Sequence, residues 1–540
     1  MQLTAYGAQD LYLTGTPDTT FFKFVYRRYT NFSTEYIEQP FTVLPTFNPT
    51  KSTTSRCKID RNGDLMYDTY LVYDLPALFS NKNEPVGWSE NVGNDIIHTA
   101  SIYAAGTKLD MRYGQWMTIW NELTQEDGKL KTYHEMIGNS IYNNNSGTEY
   151  ISDINVNGDG DTLVIPSKRL YIPLGFWFCN NPGLAIPLIA LQYTEIFIDI
   201  EFNPLNHIFR MGSPLVSPDH LFASGAELSS FNANLSAKLG NTTVAIPPDN
   251  KEKLPNAPTR EYNLDQTDVI YRYTPGWKQN SYILVNYIYL SDDERTKFAQ
   301  VSHEYLITQT QTRILQGLKT GTNIRDISTL NHPVKELVWV LQDPDVQYNN
   351  DWSNYTLINN VDENLIPNSY EYIKELDNKL LSPEFKSLNK DITDGLSSDS
   401  IKKFISEIMY NINPDSLQYP TKINQSFNNY RDIMSSAYIK FNGIDRFSIQ
   451  EKEFFSGLQK YNYHTNSGLP GTYVYSFALH PEKEQPSGTC NMSRLNNAEL
   501  IVNLVEQSPN KFYNLYLYAV NYNIFRIAAG IGSTVFSPSP

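Results

Sequence analysis

Along most of the chain, β-branched and aromatic residues alternate with polar ones in short runs, and Gly, Pro, Asn or Asp closes each run. A period of two places alternate side chains on opposite faces, so these runs predict strands. Clear instances cover 55–59, 69–73, 96–103, 196–202, 282–290, 335–341 and 515–522. Helical spacing is scarcer. The run 18–29 reads as a helix capped by Asp18 with Phe21, Phe22, Val25 and Tyr29 on one side, and 115–123, 292–301, 398–410 and 450–460 complete the set. The expected fold is mainly β with short accessory helices.

The two halves of the chain repeat a pattern. Ile102-Tyr-Ala-Ala-Gly106 precedes a short strand and the 115–123 helix, as Ile439-Lys-Phe-Asn-Gly443 precedes a short strand and the 450–460 helix. Further on, Asn181-Pro182-Gly183 leads to Glu195-Ile-Phe-Ile-Asp-Ile, and Pro486-Ser-Gly488 leads to Glu499-Leu-Ile-Val-Asn-Leu. Two excursions interrupt the correspondence, at about 138–165 and about 343–436. Both are rich in turn formers or charge and poor in alternating apolar residues. The expected organisation is an N-terminal arm with a short helix (1–30), a first module (31–240), a Pro-containing linker (241–259) and a second module (260–540). The 343–436 excursion is expected to be an outward loop dispensable to its module.

With 540 residues, 40% of them hydrophobic and 13% aromatic, the chain has material for more than one core. Its formal charge of -15 argues against a surface that holds a phosphate backbone, so no direct nucleic-acid binding is expected. Cys57, Cys179 and Cys490 are widely spaced, which suits neither a disulfide scaffold nor a thiolate metal site. No run approaches the roughly 20 apolar residues of a membrane span, and no export signal is visible.

Chemistry-bearing patterns fall short of their requirements. Asp153 to Asp161 spaces oxygen ligands like the first half of a calcium loop but has Val164 where a bidentate Glu belongs, so it reads as a surface turn. Gly317-Leu-Lys-Thr-Gly321 is too short to cradle a phosphate. His134-Glu135 and His303-Glu304 lack the second His of a zinc-binding helix. Asp199 with Glu201, and Asp292-Asp293-Glu294, read as a strand-end pair and a helix start rather than acid/base couples. Lys23, Arg27 and Arg28 form one compact basic cluster on an otherwise aromatic segment. No catalytic, cofactor-binding or metal-ligating residue is expected.

Several long stretches resemble the major capsid proteins of nucleocytoplasmic large DNA viruses. They are the run Phe22-Lys-Phe-Val-Tyr-Arg-Arg-Tyr, the run from Val285 to Gln300, His332-Pro-Val-Lys-Glu-Leu-Val-Trp-Val and, above all, Tyr475 to Leu495 with its Pro486-Ser-Gly488 turn. The resemblance implies a tandem double jelly roll, two antiparallel eight-stranded β-sandwiches. It also implies a structural role without enzymatic activity: a homotrimeric, pseudo-hexagonal capsomer that tiles an icosahedral shell. Implied partners are neighbouring capsomers, minor capsid proteins and, through the N-terminal arm, an internal viral membrane layer. The implied location is the virion, after assembly in the cytoplasm of the infected host cell. A β-sandwich carbohydrate-binding or attachment protein, or a glycosidase, is the alternative.

Overall fold

The computed structural model describes residues 8–45, 51–75, 78–80, 86–139, 162–165, 167–211, 280–344, 346, 350, 352–356, 432–505 and 512–536. The calcium-like turn at 153–161, the 241–259 linker and the 398–410 helix lie outside the described residues. Strands β1 (Phe32–Pro40), β2 (Thr53–Ile59), β3 (Leu65–Leu75), β4 (Leu78–Ser80), β5 (Val86–Trp88), β6 (Ile97–Ala104), β7 (Thr107–Tyr113), β8 (Thr162–Ile165), β9 (Lys168–Pro173), β10 (Ile186–Pro187), β11 (Ile196–Phe202), β12 (Phe209–Met211) and β13 (Ser281–Leu290) build the first module. The second contains β14 (His303–Leu318), β15 (Gly321–Asp326), β16 (Pro333–Gln342), β17 (Met434–Phe441), β18 (Ile444–Asp445), β19 (Gln450–Glu451), β20 (Thr472–Ser476), β21 (Cys490–Asn491), β22 (Ala498–Leu504), β23 (Tyr513–Ala528) and β24 (Ile531–Thr534).

Each module is two antiparallel sheets pressed together. In the first, β1-β13-β3-β10, with β9 also on β3, faces β2-β11-β6-β7; in the second, β14-β23-β16-β20, with β21 and β24 attached, faces β15-β22-β17-β18, with β19 on β17. The two orders correspond strand for strand, with β9 matching β20 and β10 matching β21, which is the double jelly roll. Short strands, several of two residues, raise the count above eight per module. Alternation puts Ile196, Ile198, Ile200 and Phe202 of β11 into the first core, and Leu500, Val502 and Leu504 of β22 into the second. Those two strands hold equivalent places, each beside the strand that ends in the repeated turn. Ala105 and Gly106 (φ 50° and 80°) match Asn442 and Gly443 (φ 51° and 81°), the paired positive φ values that a two-residue hairpin needs.

Three expectations change. Strand β13 lies beyond residue 260, yet it sits between β1 and β3 in the first sheet, with Ile283 and Val285 in the first core. It is the counterpart of β23, so the first jelly roll closes only near residue 290. No helix forms at 18–29, and the arm's helix is the five-residue Asp10–Thr14. The 18–29 run is heavy in Thr, Phe and Tyr, which are modest helix formers, and its Phe21, Phe22, Val25 and Tyr29 stand 71–97% exposed, so little burial repays nucleation. Thirdly, the root of the 343–436 excursion belongs to the folded body: Val346, Tyr355 and Ile433 are buried, and Thr356 bridges to Asp432.

The modules meet along a continuous seam. Trp116, Ile119 and Leu123 of the Gly114–Thr124 helix pack against Val338 and Val340 of β16, Val474 of β20, Tyr355, and Tyr518 and Val520 of β23. The Trp116 ring lies 4.8 Å from that of Tyr518, whose hydroxyl donates to Gln115 Oε1 at 2.6 Å. At the opposite end of β23, the β23–β24 turn clamps the first module. Tyr193 N–H and Thr194 Oγ1 both donate to Gly530 O, at 3.1 and 3.2 Å. Gly530 has φ +79°, and a Cβ there would stand 2.7 Å from Tyr193 Cδ2.

Two stability outcomes follow, both read by denaturant titration. Tyr355→Ala should cost about 3 kcal/mol through the cavity opened in the seam. Gly530→Ala should cost about 1–3 kcal/mol from backbone strain plus the lost clamp.

Candidate assembly surface

The described residues hold no group of three or more His, Cys, Asp or Glu arranged to bind a metal ion. The titratable pairs singled out in the sequence have structural partners. Asp199 takes a two-pronged ion pair from Arg56 at 2.7 Å, and Glu201 accepts from Thr99 and Ser52. His134 Nε2 meets Glu122 Oε1 at 2.5 Å inside the first module. His303 stacks between Phe298 and Tyr305 and contacts Phe298 O, while Glu304 pairs with Arg526. Gly317 and Gly321, both at positive φ, flank the turn from β14 to β15. Asp199 is thus held in an ion pair and Glu201 by two hydroxyl donors, both on strand β11.

Sequence reasoning missed the buried charges of the seam. The loop 464–469 ties the modules together: Asn466 N–H donates to Leu123 O at 2.9 Å on the first module, and Gly468 lies against the Leu123 side chain. Its own-module anchor is His464, whose side chain is fully buried. Nδ1 contacts Glu482 Oε1 at 3.0 Å, and Nε2 stands 3.2 Å from Glu336 Oε2 as an ion pair not aligned as a hydrogen bond. Glu482 also accepts from Thr465 N and Oγ1. Nearby Lys335 donates to Pro481 O at 2.6 Å and lies 5.7 Å from the Trp120 ring centroid. The only sequence signal was a Lys-Glu pair inside the apolar run of β16.

Burial opposes a charge on His464, but the two carboxylates outweigh it and the imidazole is pushed up to about 9. Burial drives Lys460, one turn earlier on the Gln459–Tyr463 helix, down to about 7 against the pull of Asp432. The two therefore contribute slopes of opposite sign. A His raised from 6.5 to about 9 stabilises fully below pH 6.5 and loses that contribution as pH rises through 9. The stability difference between wild type and His464→Gln should accordingly shrink between pH 6 and pH 10 by on the order of 3 kcal/mol. Lys460→Met should steepen the alkaline loss, since stability from Lys460 rises with pH above 7. Urea titrations across that pH range check both.

The most exposed apolar surface among the described residues lies on the arm. Residues 23–31 form no regular structure, and Phe21 and Phe22 are each 97% exposed, with Phe24, Val25, Tyr26 and Tyr29 nearly as open. Lys23, Arg27 and Arg28 share that exposure. The arm leaves the body where Phe32 pairs with Leu290, beside the start of the Asp292–Gln300 helix. Among the described residues it is the densest run of exposed aromatic side chains, and such a run on a soluble surface marks an interaction site.

Two family models match, for the major capsid protein N-terminus over residues 20–237 and for the large eukaryotic DNA virus major capsid protein over residues 294–533. The break between them brackets the end of β13. The chain is 32% identical to the major capsid protein of Phaeocystis pouchetii virus, with 99% of each chain covered. It is 27% identical to that of Paramecium bursaria Chlorella virus 1, over 99% of this chain and 98% of the relative. Among solved structures, a quasi-atomic model of the PBCV-1 virus capsid aligns with TM-score 0.61 at 22% identity, covering 96% of this chain and all of that one. The Faustovirus major capsid protein aligns at 0.59 and 14%, covering 97% and 94%. The duplicated sandwich, the interaction-type surface and a relative above 30% identity over the full length agree: the chain belongs to the major capsid proteins of large eukaryotic DNA viruses.

Proposed function

We infer that this capsid protein works as a homotrimer, three chains forming one pseudo-hexagonal capsomer that tiles an icosahedral shell. The observation that carries the reading is the internal repetition of one sandwich. Two modules with corresponding strand orders, fused rigidly by an apolar seam, present two near-equivalent walls per chain. Three such chains in a closed ring offer six, and a closed ring satisfies every repeated side contact. The partners are then other copies of the chain, neighbouring capsomers and minor capsid proteins. The location is the virion, after assembly in the cytoplasm of the infected cell. Catalysis forms no part of this role.

Light scattering on the purified chain should return about three times 61.9 kDa, and negative-stain images should show a hexagonal outline. A single-chain mass at micromolar concentration, with no larger species on co-expression, would overturn the trimer. Because the arm lies outside both cores, removing residues 1–29 should leave trimers intact and lower only their association into larger arrays.

A further inference from the structure

The arm and the end of the molecule it leaves from are complementary, yet within one chain they do not meet. Residue 31 lies beside Ser291, because Phe32 pairs with Leu290, and the helix that follows opens with the exposed Asp292 and Asp293. From its other end the chain passes through Val301 to β14, whose His303 pairs with Ile527. Ala528 in turn pairs with Ile531 across the β23–β24 turn, and Tyr193 packs over that turn at Gly530. Tyr193, Val301 and Ile531, between 53% and 77% exposed, thus share one end of the molecule with the two carboxylates.

The arm carries the opposite chemistry. Laid out as a strand, it would place Phe22, Phe24, Tyr26 and Arg28 on one face and Lys23, Val25 and Arg27 on the other, so that each face carries apolar bulk and a cation. Residues 1–31 bear three cations and two carboxylates, so the rest of the chain holds a formal charge of -16. That body attracts a basic segment and is itself repelled by anionic lipid. The 18–29 run forms no helix, and so lacks the helical apolar face with which amphipathic interfacial helices enter a bilayer. A second copy of the chain is the occupant these features favour.

We propose that this end of the molecule is an interface between copies. The arm of one chain lies across Tyr193, Val301 and Ile531 of a chain in the neighbouring capsomer, with Lys23, Arg27 and Arg28 opposite that chain's Asp292 and Asp293. This rests on the capsomer reading above, and it assigns to one surface the contact that the arm makes.

The test uses two charge reversals in the full chain, Arg27→Glu with Arg28→Glu, and Asp292→Lys with Asp293→Lys. In sedimentation velocity each double variant should remain trimeric while association between trimers weakens at least tenfold. An equal mixture of the two should restore it, since reversed arm then meets reversed base. Association unchanged in both variants, or no gain on mixing, would overturn the interface. A second readout does not depend on the variants folding: a photo-crosslinking amino acid in place of Phe24, in a mixture of isotope-labelled and unlabelled chains. It should join a labelled arm to unlabelled peptides carrying Tyr193, Val301 or Ile531. Crosslinks confined to one chain, or transferred to vesicles of phosphatidylserine and phosphatidylcholine while trimers still associate, would refute it. A single-chain mass for the wild type would instead remove the trimer, and the crosslink between copies would still decide this contact.

Discussion

Everything in this molecule depends on the return of the last strand of each jelly roll into the middle of its first sheet. β13 must reach between β1 and β3, and β23 between β14 and β16, before either sheet has an inner face to bury. A strand so placed satisfies its backbone on both edges and contributes alternate side chains to the core. The cost is a long closure, with Phe32 paired to Leu290 across most of the first half of the chain. Because closure entropy grows only with the logarithm of loop length, the first module tolerates the long stretch between β11 and β13. The second module makes the same step from β22 to β23 with far fewer residues.

Fusion of the two sandwiches uses a different device. Apolar contact between the Gly114–Thr124 helix and the β16, β20 and β23 face supplies most of the area, and dispersion and burial there are not directional. Direction comes from buried polar groups. Arg112 Nη1 donates to Thr310 Oγ1 at 2.6 Å, Gln309 Nε2 donates to Leu109 O at 2.5 Å, and Asn466 caps Leu123. Unpaired, each of these groups would cost more than its bond contributes, so a slipped seam is penalised. His464 between two glutamates belongs to the same logic, since it fixes the loop that bridges the modules.

The local pattern made most strands legible, and some to the residue. The 196–202 and 282–290 runs appear as Ile196–Phe202 and Ser281–Leu290, because period-two alternation reports directly which side chains face a core. The internal repeat was legible for a related reason: a two-residue hairpin needs positive φ at both central positions, and Gly106 and Gly443 mark it. The 18–29 helix failed where periodicity alone was misleading. An apolar stripe predicts a helix only if something covers the stripe, and here the same residues stand in solvent.

By itself, the sequence determined the fold class, the existence of two like modules and the lack of any familiar catalytic spacing, since all three are written in nearest-neighbour pattern and composition. Tertiary structure alone decided which module owns β13, that Tyr355 roots an apparent surface excursion in the seam, and that Lys335, Glu336 and His464 are buried together. Each of those facts turns on a partner far away in the chain, and a strand's alternation says which face is buried without saying against whom. Charge in particular is silent on this point. A Lys-Glu pair has the same letters in water as it has in a seam, and only the packing around it sets the cost of its burial and its direction of titration.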